Sequence, residues 1–326
     1  MWLADQARRP MVPGRWQPGG FGTPASQQVA GGLSCASLVA GIHLRHDENA
    51  PMNNRVVRDF WNEAACGEAA YAVGIDASKR FSSQRETRYE LEPFIEPFAR
   101  FEEGHQQAVL EIGVGMGADH EEWARSGPAR LCGIDLTQRA VDLTRERLAL
   151  AQLESELQVA DGERLPFPDA TFDIVYSWGV LHHSADTTRA FKEVARVLKP
   201  GGSARIMIYH KWSIVGLMLW LRYGRLSSSL ASIYANHLES PGTKAYSTRE
   251  ATTIVEASGL RVAKMEVELS PGDLLSGATG QRHRGSLLSI ARRLWPRTLL
   301  LAVARQLGLY LMIEAIRPSE DRAAAN

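Results

Sequence analysis

Ten residues, 108–117, restrict the fold more than any other stretch: Ala-Val-Leu-Glu-Ile-Gly-Val-Gly-Met-Gly. Val109, Leu110 and Ile112 read as a short buried strand. Gly113, Gly115 and Gly117 read as a tight turn into a helix through Glu121–Arg125. Glycine suits such a turn because the backbone bends sharply and a ligand approaches with no Cβ in its way. Ala118 can stand for the third glycine of a dinucleotide turn, so a nicotinamide or flavin enzyme is one reading. Against it, Glu111 stands two residues before the first glycine, where a dinucleotide strand usually carries an apolar residue.

Two further segments separate the readings. Leu131-Cys132-Gly133-Ile134-Asp135 reads as a second strand ending in an acid, placed where a carboxylate can take both ribose hydroxyls. Residues 159–202 then carry Asp161-Gly162-Glu163, Phe167, Asp173, Ser177-Trp178, His182-His183 and Pro200-Gly201-Gly202. Together these residues resemble the class I S-adenosylmethionine-dependent methyltransferases, especially the branch with quinone-directed and natural-product enzymes. The resemblance covers residues 105–210 and is weaker outside them.

From residue 107 the hydrophobic pattern alternates strand and helix over 107–112, 119–126, 130–135, 138–152, 156–160, 172–177, 187–198 and 203–209. This is the βαβ series of an α/β, doubly wound sheet. Thr137 is placed to cap the helix at 138, and Pro200-Gly201-Gly202 to stop the helix at 187–198. Ser247 and Glu250 fit a capping box, and Arg261–Leu269 and Leu309–Ile316 read as the last strands. The resemblance implies a Rossmann-like, seven-stranded, mostly parallel sheet whose last strand runs antiparallel between the two strands at its edge. The methyltransferase domain is expected over 105–318, with helical insertions at 211–246 and 271–307 and a tail at 319–326. Connections of that length are usually functional or mobile.

The first 51 residues are rich in Pro, Gly, Ser and Gln and read as a disordered tail, with Met52 as the natural start. Arg8-Arg9 is followed by Pro10 and no apolar core, which argues against an export signal. Residues 52–104 read as helices, with Ser82–Phe101 at near-helical spacing, most aromatics there as core packing, and Cys66-Gly67 as a helix break. Lys+Arg and Asp+Glu balance at 37 each, so no global field favours nucleic acid. Cys35, Cys66 and Cys132 lack metal spacing; reduced thiols in a cytoplasmic protein with no metal are expected. No apolar run reaches the roughly 18 residues of a membrane span.

The resemblance also implies S-adenosylmethionine as cofactor and assigns residues to it. Glu111 would face its amino end, with Gly113, Gly115 and Gly117 letting the backbone pass close. Asp135, with Leu136 beside it, would hold the ribose. Asp161 would accept from the adenine amino group, and Gly162 would leave room for the ring. Ser177 and Trp178 would face the sulfonium, and Arg88 and Tyr89 the methionine end. The helices of 52–104 would cover the cofactor and close the substrate cavity. If the acceptor must lose a proton, His183 and His210 are the candidate bases, against the alternative of structural histidines bonded to loop backbone. Tyr209 and Trp212 follow the fifth strand and would line the acceptor pocket.

The expected reaction is methyl transfer to oxygen or carbon, less readily nitrogen, of a small organic acceptor. A lipid or quinone acceptor reached at a membrane surface is the alternative. From other classes, a nicotinamide oxidoreductase or a non-catalytic cofactor-binding protein would share the turn. Nucleic acid is not expected as acceptor, since Ser177-Trp178-Gly179-Val180 stands where an Asn-Pro-Pro-Tyr type of tetrapeptide would be. Trp212–Leu221 is too short to span a bilayer and reads as a buried helix, a lid or an interfacial helix. Residues 274–313 hold no acid but carry Arg282, Arg284, Arg292, Arg293, Arg297 and Arg305. Such a stretch suits peripheral membrane contact or a helix on the sheet edge with a solvated basic face.

Overall fold

The computed structural model describes residues 54–63, 76–224, 228–275, 295–303 and 305–319. The expected tail at 1–51, all but residue 319 of the expected tail at 319–326, Cys66-Gly67, and Arg282, Arg284, Arg292 and Arg293 lie outside the described residues.

The strands are β1 (Ala108–Ile112), β2 (Arg130–Asp135), β3 (Glu156–Val159), β4 (Phe172–Trp178), β5 (Leu198–Tyr209), β6 (Arg261–Glu268) and β7 (Tyr310–Ile316). They form one sheet in the order β3-β2-β1-β4-β5-β7-β6. β1 to β5 pair in parallel, while β7 runs antiparallel to both β5 and β6, as expected. The strand order reverses beside β1, so the carboxyl ends of β1, β2 and β4 open onto one crevice.

The helices are α1 (Asn54–Glu63), α2 (Ala77–Leu91), α3 (Ile95–Ala99), α4 (Ala118–Arg125), α5 (Gln138–Ala151), α6 (Thr187–Val197), α7 (Ile214–Tyr223), α8 (Leu230–His237), α9 (Thr248–Ala257) and α10 (Arg297–Val303). Thr137 caps α5 through Ala140, and Ser247 with Glu250 closes a full capping box on α9. The near-helical spacing over Ser82–Phe101 falls on two helices, α2 and α3, because Pro93 cannot continue α2 and pushes Glu92 out of helical geometry.

β5 begins five residues before the expected 203. Gly201 N donates to Arg317 O at 2.8 Å and Arg317 N to Gly202 O at 3.0 Å, so the glycine pair extends the ladder rather than only ending α6. The Arg317 guanidinium donates to the carbonyls of Ala195 and Arg196 at 3.0 and 2.9 Å, satisfying the exposed end of α6.

Both insertions are stitched to the sheet by one acid. Asp273 is fully buried and accepts from Val215 N of α7, from Ser270 N and Oγ, and from Leu309 N before β7. Its carbonyl accepts from Trp295 Nε1 at 2.8 Å. The Arg297 guanidinium is committed to the carbonyls of Leu274 and Leu275. Among the described residues, no helix is long and apolar enough to cross a membrane.

Candidate functional site

A cleft runs along the carboxyl ends of β1, β2, β3 and β4. Its walls include Ile112, Gly113, Ile134, Asp135, Leu136, Ala160, Asp161, Gly162, Val180 and His183. Asn54 and Val57 of α1 close it from outside. The free space is about 50 Å³, room for only a few waters.

Gly113 has φ +86°, and a Cβ there would meet Val180 Cγ2 at 2.2 Å, so only glycine fits this bend. A Cβ on Gly115 would meet nothing within 4 Å, which leaves the turn open to a ligand. Asp135 ends β2 and receives three donors: Gly115 N on Oδ2 at 3.1 Å, and Thr137 N and Oγ1 on Oδ1 at 3.0 and 2.9 Å. A carboxylate has about four acceptor sites, so capacity on Oδ2 remains for a ligand. Burial raises the Asp135 carboxyl above its ordinary value, opposed by those same donors.

Asp161 is held from two sides. Glu163 N donates to its Oδ1 at 2.9 Å, and Asn54 Nδ2 to its Oδ2 at 2.7 Å. Asn54 Nδ2 also reaches Glu163 Oε1 at 3.0 Å, and its Oδ1 accepts from Ala185 N at 3.0 Å. The Asn54 carboxamide therefore presents a donor and an acceptor side by side, as the amino-bearing edge of an adenine does.

Glu111 lies below the turn and is buried. Its Oε2 meets His120 Nδ1 at 2.9 Å, and His120 Nε2 meets Ser155 Oγ at 2.8 Å. Burial, with Asp119 nearby, pushes the Glu111 carboxyl well above its ordinary range, and burial pushes His120 down to about 3. Both shifts favour the neutral form of each group. The proton order is Glu111 to His120 to Ser155 to Leu131 O.

Arg88 and Tyr89 turn to Asp119 instead of the cleft. The guanidinium makes a bidentate pair at 2.9 and 2.6 Å, and the phenols of Tyr89 and Tyr176 add bonds at 3.0 and 2.8 Å. Burial opposes the Asp119 charge, but Arg88 beside it overrides and holds the carboxyl below its ordinary value. Ser177 is buried and donates to Ile112 O at 3.0 Å, fixing the end of β1 against β4.

Beyond His183 the strand ends carry an aromatic wall. Trp178 of β4 stacks on Phe94 at 6.0 Å and meets Tyr310 of β7 at 5.8 Å. Tyr209 of β5 lies parallel to Tyr310 at 6.2 Å. The Tyr209 phenol donates to Glu239 Oε2 at 2.6 Å, and the Tyr310 phenol to Glu92. His183 has Ser240 Oγ and Thr243 Oγ1 on Nδ1 at 2.8 and 3.2 Å, Glu239 Oε2 at 3.4 Å from Nε2, and the Trp61 ring edge-on at 5.6 Å.

The structure gathers Gly113, Asp135, Leu136, Asp161, Gly162 and His183 around one cleft. His210 is not brought to it. Its ring Nδ1 donates to Gly308 O at 3.1 Å, and burial lowers its basicity. Trp212 is 56% exposed. Asn54, Glu163 and Glu239 have no role in the sequence reading. One signal was present for Glu239: it is the only acid between Glu193 and Glu250.

Residues 110–206 match a family described as a methyltransferase domain. The 27-O-demethylrifamycin SV methyltransferase of Amycolatopsis mediterranei is 33% identical over 96 residues, 29% of this chain and 35% of that protein. Erythromycin 3''-O-methyltransferase of Saccharopolyspora erythraea is 37% identical over 120 residues, 36% of this chain and 39% of that one. Phosphoethanolamine N-methyltransferase 3 of Arabidopsis thaliana is 32% identical over 103 residues, 32% and 21% of the two chains. The chain thus spans well under half the length of these relatives. In fold, it is similar to a chain from the Haloferax volcanii complex of the Trm112 methyltransferase activator with a methyltransferase. That likeness has a TM-score of 0.53 and 20% identity, over 81% of this chain and 98% of the other. Residues 110–206 thus form a methyltransferase domain, of the class I S-adenosylmethionine-dependent kind that the sequence resembles.

Proposed function

We propose that the whole protein transfers a methyl group from S-adenosylmethionine to an oxygen or carbon atom of a small organic acceptor. The observation that carries this reading is the single cleft lined by Asp135, Asp161, Gly113 and His183, with His183 turned toward Glu239 and the aromatic wall. The cofactor supplies a methyl group on a sulfonium, a good leaving group, so the protein's main task is positioning. Asp135 has acceptor capacity left for ribose hydroxyls, and Asp161 accepts from the adenine amino group once Asn54 withdraws. Val57, Val180 and Leu136 exclude water from the cleft, which favours displacement at a charged centre. His183 and Glu239 activate the acceptor, while Trp178, Tyr209 and Tyr310 give it an apolar face. The test is incubation of the full chain with methyl-labelled cofactor and a panel of hydroxyl, carbon-acid and amine acceptors. Label on a hydroxyl or carbon acid supports the reading. Label confined to amines, or no transfer to any acceptor by a protein that binds the cofactor, overturns it.

A specific observation favours a second reading, an acceptor met at a membrane surface. Leu217 and Leu221, one turn apart on α7, are 56% and 69% exposed. An exposed apolar strip of this kind suits insertion at a lipid interface. Co-flotation with anionic vesicles, lost in Leu217→Ser/Leu221→Ser, would support it; failure of the wild type to float would remove it.

A further inference from the structure

We infer that His182, His183 and Glu239 form a binding site for a borderline divalent cation of the Zn2+, Co2+ or Fe2+ class, at the acceptor end of the cleft. One ring nitrogen of each histidine and one Glu239 carboxylate oxygen lie within 4.8 Å of one another. Such ions sit about 2.0–2.2 Å from nitrogen and oxygen ligands, so a small inward rotation of the three side chains closes the site. Two imidazoles and one carboxylate are a donor set for these metals rather than for Mg2+, which prefers oxygen.

The hydrogen-bond pattern argues that a cation belongs there. Thr243 Oγ1 donates to Ser240 O at 2.7 Å, so toward Ser240 Oγ and His183 Nδ1 it can only accept. Two proton orders are open: Ser240 Oγ–H to His183 Nδ1 with Nε2–H facing Glu239, or His183 Nδ1–H to Ser240 Oγ and Ser240 on to Thr243. In the second order His183 Nε2 offers a lone pair 3.4 Å from a carboxylate oxygen, as two ligands of one cation do. A proton would relieve only that pair. It would leave His182, which has no exposed surface and no protein partner on either ring nitrogen among the described residues. Buried polar groups without partners are rare and costly, and a metal ion satisfies all three side chains at once.

The surroundings fit metal ligands as well. Metal-bound histidines usually donate their other ring N–H to a neighbouring oxygen, and bound carboxylates are themselves hydrogen-bonded. Ser240 and Thr243 play the first part for His183, and the Tyr209 phenol plays the second for Glu239. The Glu239 side chain is 28% exposed, which gives the ion a way in. Because His183 also lines the cofactor cleft, open coordination positions would take an oxygen atom of the acceptor. That catalytic meaning rests on the proposed methyl transfer; the binding itself does not.

The test uses the full chain, stripped with a chelator and titrated with Co2+ and Zn2+ without S-adenosylmethionine. One equivalent of metal by elemental analysis is expected, with Co2+ absorption bands of a nitrogen- and oxygen-ligated ion. Glu239→Gln and His183→Gln should each weaken binding tenfold or more, and His105→Gln at the surface should not. If one of those variants fails to fold, His182→Gln replaces it, with circular dichroism to verify the fold. No metal uptake by the wild type overturns the proposal, and so does uptake that persists in folded Glu239→Gln and His183→Gln. Absence of methyl transfer would count against the proposed function and leave this result standing.

Discussion

Asn54 Nδ2 donates to Asp161 Oδ2 at 2.7 Å, so the first residue of α1 holds the carboxylate that we assign to the adenine amino group. Asn54 and Val57 of α1 close the cleft from outside, so α1 stands where the adenosyl group is expected to enter. Removing this internal competitor should therefore help the cofactor. Asn54→Ala is expected to tighten S-adenosylhomocysteine binding by about 1 kcal/mol, the net worth of one intramolecular hydrogen bond. Titration calorimetry checks it. Weaker binding in the variant would mean that Asn54 clamps the bound cofactor instead of standing in for it.

The Glu111–His120 pair should leave a signature in stability against pH. Folded Glu111 keeps its proton above the ordinary 4.5, and folded His120 stays neutral below the ordinary 6.5, down to about 3. Between pH 4.5 and 6.5 the folded pair and the unfolded pair each hold about one proton, so the pair adds no slope. Above 6.5 the unfolded chain holds fewer protons than the folded one, and this contribution falls as pH rises. Glu111→Gln copies the protonated acid and cannot show that loss. Its thermal midpoint should stay near wild type at pH 5.5 and gain on wild type by pH 8.5. A variant that falls further behind as pH rises would show that Glu111 is ionised in the folded protein.

Asp273 should be a stability residue. Asp273→Ala leaves the backbone N–H groups of Val215, Ser270 and Leu309 without their acceptor. At about 1–3 kcal/mol for each buried unpaired donor, a loss of about 3 kcal/mol or more is expected. Urea denaturation measures it. A loss below about 1 kcal/mol would show that the loops repair these bonds locally.

What the sequence revealed follows from where each residue's partners lie. The placement of Asp135 and Asp161 at the cleft was legible because one ends β2 and the other stands just past β3, and the parallel topology brings strand ends to one crevice. Glu239 was not, because it reaches His183 only when the insertion carrying α7 and α8 packs back over β5. Arg88 and Tyr89 were read as ligands of the methionine end. Both bond Asp119, about 30 positions away on α4, and no local pattern announces that pairing. The near-helical spacing over Ser82–Phe101 does not itself show the break of α2, which Pro93 imposes. Pro200-Gly201-Gly202 was read as a stop because its ladder partner, Arg317, is far along the chain.

The central claim is that Asp135 holds the ribose of S-adenosylmethionine at the end of β2. Calorimetric titration of wild type and Asp135→Ala with S-adenosylhomocysteine tests it most directly. The account predicts binding by the wild type, weakened by about 1–3 kcal/mol in a folded Asp135→Ala. Equal affinity in the two proteins would contradict the assignment, and NADH binding with none of S-adenosylhomocysteine would contradict the whole account.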